Sequence, residues 1–106
     1  MVTEIRFPED IVEENRDQLA EVLEEEPEEF ADEIIDTALM ILDVWDPSAR
    51  GKAPTGVAAT VIYVADRVGP DKLTQQQVCD VVDSSPMTIR KQQGECMKTA
   101  REEGVV

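Results

Sequence analysis

The densest set of chemically capable side chains is the acidic run Glu24-Glu25-Glu26-Pro27-Glu28-Glu29, continued by Asp32, Glu33 and Asp36. Carboxylates four residues apart on a helix can hold a hard cation or work as an acid–base pair. A di-iron site, however, wants Glu-x-x-His, and a calcium loop wants a glycine inside an Asp-rich stretch of about twelve residues. Neither pattern is present, and the chain has no histidine at all. That excludes a His-based triad, a His-ligated metal and an imidazole base. Cys79 and Cys96 stand seventeen positions apart with no CxxC partner, which is not zinc-ligand spacing. Each is expected as a buried apolar thiol in a reducing cytoplasm. No nucleophile–base pair can be assembled from what remains. The acidic run therefore reads as a solvated face, and neither an enzyme, a cofactor nor a small-molecule substrate is expected.

A second constellation is smaller and sharper. Ser84-Ser85-Pro86 is followed by Met87, Thr88, Ile89, Arg90 and Lys91, with Lys98 and Arg101 farther along. An arginine near the start of a helix can grip a guanine edge through two hydrogen bonds, worth about 1–3 kcal/mol of discrimination. The same Arg-Lys pair also suits a helix face that is merely solvated, and the pattern alone leaves both readings open.

Those residues must be positioned by helices. A chain of 106 residues and 11.8 kDa is one small domain, and no segment alternates with period two. Prolines fall where helices begin, since a first-turn residue loses no intrahelical bond by lacking N–H. Pro8 opens a segment of about 8–25 with Ile11, Val12, Leu19, Val22 and Leu23 inward. Pro27 opens a longer one, about 27–45, with Phe30, Ile34, Ile35, Ala38, Leu39, Ile41, Leu42 and Trp45. Residues 46–53 read as a loop. Pro54 starts a third helix to about Val68, whose stretch from Gly56 to Asp66 carries charge only at its last residue; this is the expected central helix. Thr74-Gln75-Gln76-Gln77 spells a capping box for a short helix, about 75–83, with Val78, Val81 and Val82 inward. Ser85-Pro86 is an N-cap followed by a first-turn proline, opening a fifth helix to about Glu103. A short helix, a tight turn and a longer helix match a helix-turn-helix, whose second helix enters the DNA major groove.

Charge divides the chain. The total is 24 acidic against 10 basic residues, net −14. Residues 1–48 carry 17 acids and 2 bases, and residues 49–106 carry 7 acids and 8 bases. An acidic shell of this kind suits a very salty cytoplasm. It would ordinarily oppose DNA, but at about 1 M salt the Debye length is about 3 Å, and the basic residues gather in the second half. The N-terminus carries Glu4, Glu9 and Asp10 where a signal peptide needs basic and then apolar residues, and no window of eighteen is apolar and uncharged. The expectation is a soluble, cytoplasmic protein with no membrane partner.

Gly51-Lys52-Ala53-Pro54-Thr55-Gly56, Ala58-Ala59, Ile62-Tyr63-Val64-Ala65, Thr74-Gln75-Gln76-Gln77-Val78 and Thr88-Ile89-Arg90 resemble the second cyclin-type repeat of archaeal and eukaryotic transcription factor IIB. Glu33-Ile34-Ile35-Asp36-Thr37-Ala38 is similar to the preceding helix of archaeal members. The likeness is specific over 51–90, looser over 27–50 and positional over 8–26. It implies an all-α, five-helix cyclin-like fold ending in a helix-turn-helix. It further implies that Met87 and Arg90 read the bases of double-stranded promoter DNA, with Thr88 a phosphate contact and Ile89 in the core. Arg50 and Lys52, by charge and loop position, and Lys91 beside Arg90 join Thr88 as candidate phosphate contacts. The TATA-binding protein or another transcription protein is the implied protein partner. Gln92, Gln93 and Gly94 replace the family's usual basic residue and tyrosine, and Ala53 stands where a serine or threonine would cap the third helix. No zinc ribbon and no first repeat are present, so the expectation is a divergent, stand-alone DNA-binding regulator of a halophilic archaeon. The alternative is a cyclin-fold interaction module that has lost DNA binding and docks a basic partner on its acidic helices.

Overall fold

Six helices follow one another in the computed structural model, which describes residues 7–49 and 51–106. They are α1 (Pro8–Glu14), α2 (Arg16–Val22), α3 (Glu29–Ala49), α4 (Pro54–Val68), α5 (Gln75–Val82) and α6 (Pro86–Glu102). No strand occurs among the described residues. The architecture is all-α and consistent with a cyclin-like fold.

The segment expected as one helix over 8–25 is two, and Asn15 is the reason. Its side-chain amide donates to the Ile11 carbonyl at 2.7 Å, the acceptor that its own backbone N–H would use in a continuous helix. The backbone N–H turns to Val12 instead, at 3.4 Å, and the chain bends there. Val22, placed inward from its spacing, is left partly exposed by the new direction, while Ile11, Val12, Leu19 and Leu23 are buried.

Helix α3 also departs from the expected boundaries. It begins at Glu29, where the Phe30 N–H bonds the Pro27 carbonyl, and it continues through Pro47 to Ala49. A proline removes one backbone donor, and near a helix end that single lost bond does not stop the turn. The expected loop 46–53 is thus shorter, and it turns at Gly51, whose φ of +90° suits glycine alone.

Helix α4 is central. Every residue from Gly56 to Asp66 is buried, and α4 packs against α1, α3, α5 and α6. Its long uncharged run is what a helix surrounded on all sides requires. Trp45, fully buried on α3, donates from Nε1 to Glu95 Oε1 on α6 at 3.4 Å. Arg16 ties α2 to α3 through Asp32 and, at 3.5 Å, Asp36. Among the described residues no helix is long and apolar enough to cross a membrane.

Candidate nucleic-acid interface

The chain enters α5 through a complete capping box. Thr74 Oγ1 accepts from the Gln77 N–H at 3.1 Å, and Gln77 Oε1 accepts from the Thr74 N–H at 2.9 Å. Val78, Cys79 and Val82 are buried, whereas Val81 is only partly so. Asp83 ends α5 in the left-handed region, φ 64°, with its N–H bonded to the Cys79 carbonyl at 2.8 Å. Aspartate tolerates that conformation better than most residues. After three intervening residues, Pro86 begins α6 behind the Ser85 cap, whose hydroxyl accepts from the Thr88 N–H at 3.3 Å.

Helix α6 has two distinct sides. Ile89, Cys96 and Ala100 are fully buried. At about 100° per residue the opposite side carries Met87, Arg90, Lys91, Gly94, Lys98 and Arg101, all exposed. Met87 keeps 58% of its surface open, a large apolar side chain left in solvent at the first turn. None of the four cations makes an ion pair, whereas Arg16 and Arg67 do. In a chain with 24 acidic residues, four unpaired cations on one face are a distinct local environment. The two acids of α6, Glu95 and Glu102, are also exposed and border this face beside Lys91 and Lys98, and Glu95 accepts from Trp45.

Of the residues singled out by sequence, Met87, Thr88, Arg90 and Lys91 therefore come together on the first turns of α6. Lys52 is half-buried in the short connection to α4, at the end where α4 abuts α6; Arg50 lies outside the described residues. Thr88 is more constrained than its exposed neighbours. Its Oγ1 lies 3.0 Å from Ser85 Oγ, and its methyl faces Gly56 so closely that a Cβ built there would stand 2.8 Å from Thr88 Cγ2. A phosphate contact from Thr88 would share a hydroxyl already engaged with the cap. Ala53 precedes α4 with no side-chain cap, as its methyl side chain dictates.

Both cysteines are buried and free. Burial pushes the Cys96 thiol up to about 12 and raises that of Cys79, so both stay protonated and unreactive at neutral pH.

Comparison with known proteins gives the ancestry. The chain is 41% identical over 68 residues to transcription initiation factor IIB of Haloarcula vallismortis, covering 64% of this chain and 55% of that protein. It is 33% identical over 72 residues to transcription initiation factor IIB of Ignicoccus hospitalis, covering 66% of this chain and 23% of that one. The chain is a partial homologue of transcription initiation factor IIB. A third relative, transcription initiation factor IIB 7 of Halobacterium salinarum, is 40% identical over 68 residues, covering 64% of this chain and 20% of its own length. The chain thus spans between a fifth and about half of these relatives. No protein-family profile and no solved structure matches it.

Three residues that help position α5 and α6 in this factor IIB homologue, Thr60, Gln92 and Asp66, are not among the residues singled out by sequence. Thr60 Oγ1 lies 2.8 Å from the Gly56 carbonyl and 3.2 Å from Gln92 Oε1, so α4 holds α6 through a polar contact among buried groups. Gln92 was visible only as a replaced basic residue. Asp66, fully buried, accepts from the Lys72 and Leu73 N–H groups, both at 2.9 Å, and so fixes the path from α4 into α5. The one available signal was a lone charge closing an uncharged run ahead of Gly69-Pro70.

Proposed function

We propose that this chain is a DNA-binding transcription regulator or an initiation-factor-like domain, in which α5 and α6 act as a helix-turn-helix and α6 reads promoter DNA. The observation that carries the reading is the exposed face of α6, with Met87 and four unpaired cations on one side of that helix. Arg90 supplies the bidentate base contact and Met87 an apolar contact to a thymine methyl. Lys91, Lys52, Thr88 and Arg50 contact phosphates, which set register rather than sequence.

Seventeen of the 24 acidic residues lie within residues 1–48, and in the salty cytoplasm of a halophile their field would be screened within about 3 Å at about 1 M salt. The names of the relatives supply transcription initiation as the process, and the partner that fits this reading is a TATA-binding protein or another transcription protein. Selection from a pool of random duplexes in molar KCl tests the reading. Enrichment of one sequence motif is expected; a pool that stays random contradicts it.

A second reading has its own observation. An open hollow of about 450 Å³ between α2 and α3 has Leu23 and Ala31 at its base and Glu21, Glu24, Glu28 and Asp32 around it. A basic protein segment would suit that chemistry. It predicts a protein partner lost on charge reversal around Glu25–Glu33, with no selected DNA.

A further inference from the structure

The middle of α6 poses a question that the protein's own packing does not answer. Gly94 lies in the interior of a 17-residue helix, where glycine is worse than alanine because it adds freedom to the unfolded chain. Such a glycine is usually explained by a positive φ or by a neighbour that leaves no room for a methyl group. Neither applies: its φ is negative like the rest of the helix, and a Cβ built there would meet nothing within 4 Å. Gly56 shows the contrast within the same molecule, since there the neighbour is Thr88 at 2.8 Å.

Position narrows the explanation. Gly94 falls in the middle of the outward face, with Met87, Arg90 and Lys91 on its N-terminal side and Lys98 and Arg101 on its C-terminal side. All four cations lack an ion-pair partner. Arg90 and Arg101 are eleven residues apart, which is about 16 Å along the axis at about 1.5 Å per residue. That span exceeds the roughly 12 Å width of a major groove, so a helix that reads bases with its first turns brings its later turns to the groove wall.

We infer that the nucleic-acid interface extends along the whole outward face of α6: Gly94 is where the sugar-phosphate backbone of duplex DNA approaches the helix most closely, and Lys98 and Arg101 bind phosphates beyond it. The inference rests on the DNA-binding function proposed above and adds to it a second, non-reading half of the helix. Charge complementarity selects the occupant. A basic or neutral protein surface would gain nothing from four free cations, and a polyanion gains from each. The bare backbone at Gly94 then lets the ridge of phosphates settle between the two cationic groups.

The test uses the full chain and the duplex it selects, titrated over a series of KCl concentrations, with Gly94→Ala and the double variant Lys98→Gln/Arg101→Gln. Removing two phosphate contacts lowers the slope of log K against log salt by about 2, with base preference retained. Gly94→Ala raises the melting temperature by roughly 4 °C through helix propensity. The same variant weakens binding roughly tenfold, because the added methyl group meets the DNA backbone. A rise in stability with a fall in affinity is not the signature of a damaged fold. If the wild-type chain selects no duplex, the DNA reading falls and this inference with it. If it selects one, but the slope of the double variant and the affinity of Gly94→Ala both match the wild type, this inference alone is overturned.

Discussion

Asp66 shows how much one side chain can organise and how little of that is visible in its spacing. Its two oxygens take the Lys72 and Leu73 amides, and burial raises its pKa even though both hydrogen bonds act the other way. The native chain therefore keeps this proton to a higher pH than the unfolded chain does. Its contribution to stability falls as pH rises from the ordinary aspartate value through the raised one. Asp66→Asn should abolish that slope. It should also cost about 1–3 kcal/mol, because the amide nitrogen cannot accept one of the two N–H groups. Urea unfolding of the two proteins checks both, and an unchanged midpoint would refute the role. The capping residues Thr74, Gln77, Ser85 and Pro86 were all legible, because cap chemistry is local. Asp66 and Gln92 were not, because their partners are set by how helices pack.

Among elements, the α4–α6 contact positions the candidate interface. Gly56 admits Thr88, Thr60 meets Gln92, and Ser85 and Thr88 share a hydroxyl contact at the first turn of α6. Gly56→Ala should therefore lower stability. Alanine gains about 1 kcal/mol of helix propensity, and overpacking against a stiff β-branched threonine costs about 1–3 kcal/mol, for a net loss of up to about 2 kcal/mol. A thermal melt showing the full propensity gain would mean that the two helices part easily. At this scale the sequence was a good guide to which helices exist and a poorer one to where they bend or stop. The break at Asn15 arises from a single side chain competing with the backbone. The extra turn through Pro47 arises because a helix end tolerates one missing donor. Apolar periodicity registers neither. It did mark α4 as central, since an uncharged run from Gly56 to Val64 has no face to offer water.

For the whole molecule, the negative charge is concentrated in residues 1–48, where Arg16 forms ion pairs with Asp32 and Asp36. Repulsion among those carboxylates should make the fold salt-dependent, with a melting temperature that rises from low salt to molar KCl as screening shortens to about 3 Å at about 1 M. A flat or falling curve would show that the acidic shell does not strain the fold. The same molecule carries four unpaired cations on α6, and that uneven distribution, more than the total charge, supports a nucleic-acid partner. The most direct test of that claim is a fluorescence-anisotropy titration of the wild-type chain and Arg90→Ala, in molar KCl, against a selected duplex and its scrambled counterpart. The account predicts that the wild type prefers the selected duplex and that Arg90→Ala loses about 1–3 kcal/mol of that preference, about 5- to 150-fold, while keeping its fold. Equal affinity of the wild type for both duplexes, or an undiminished preference in the variant, would contradict it.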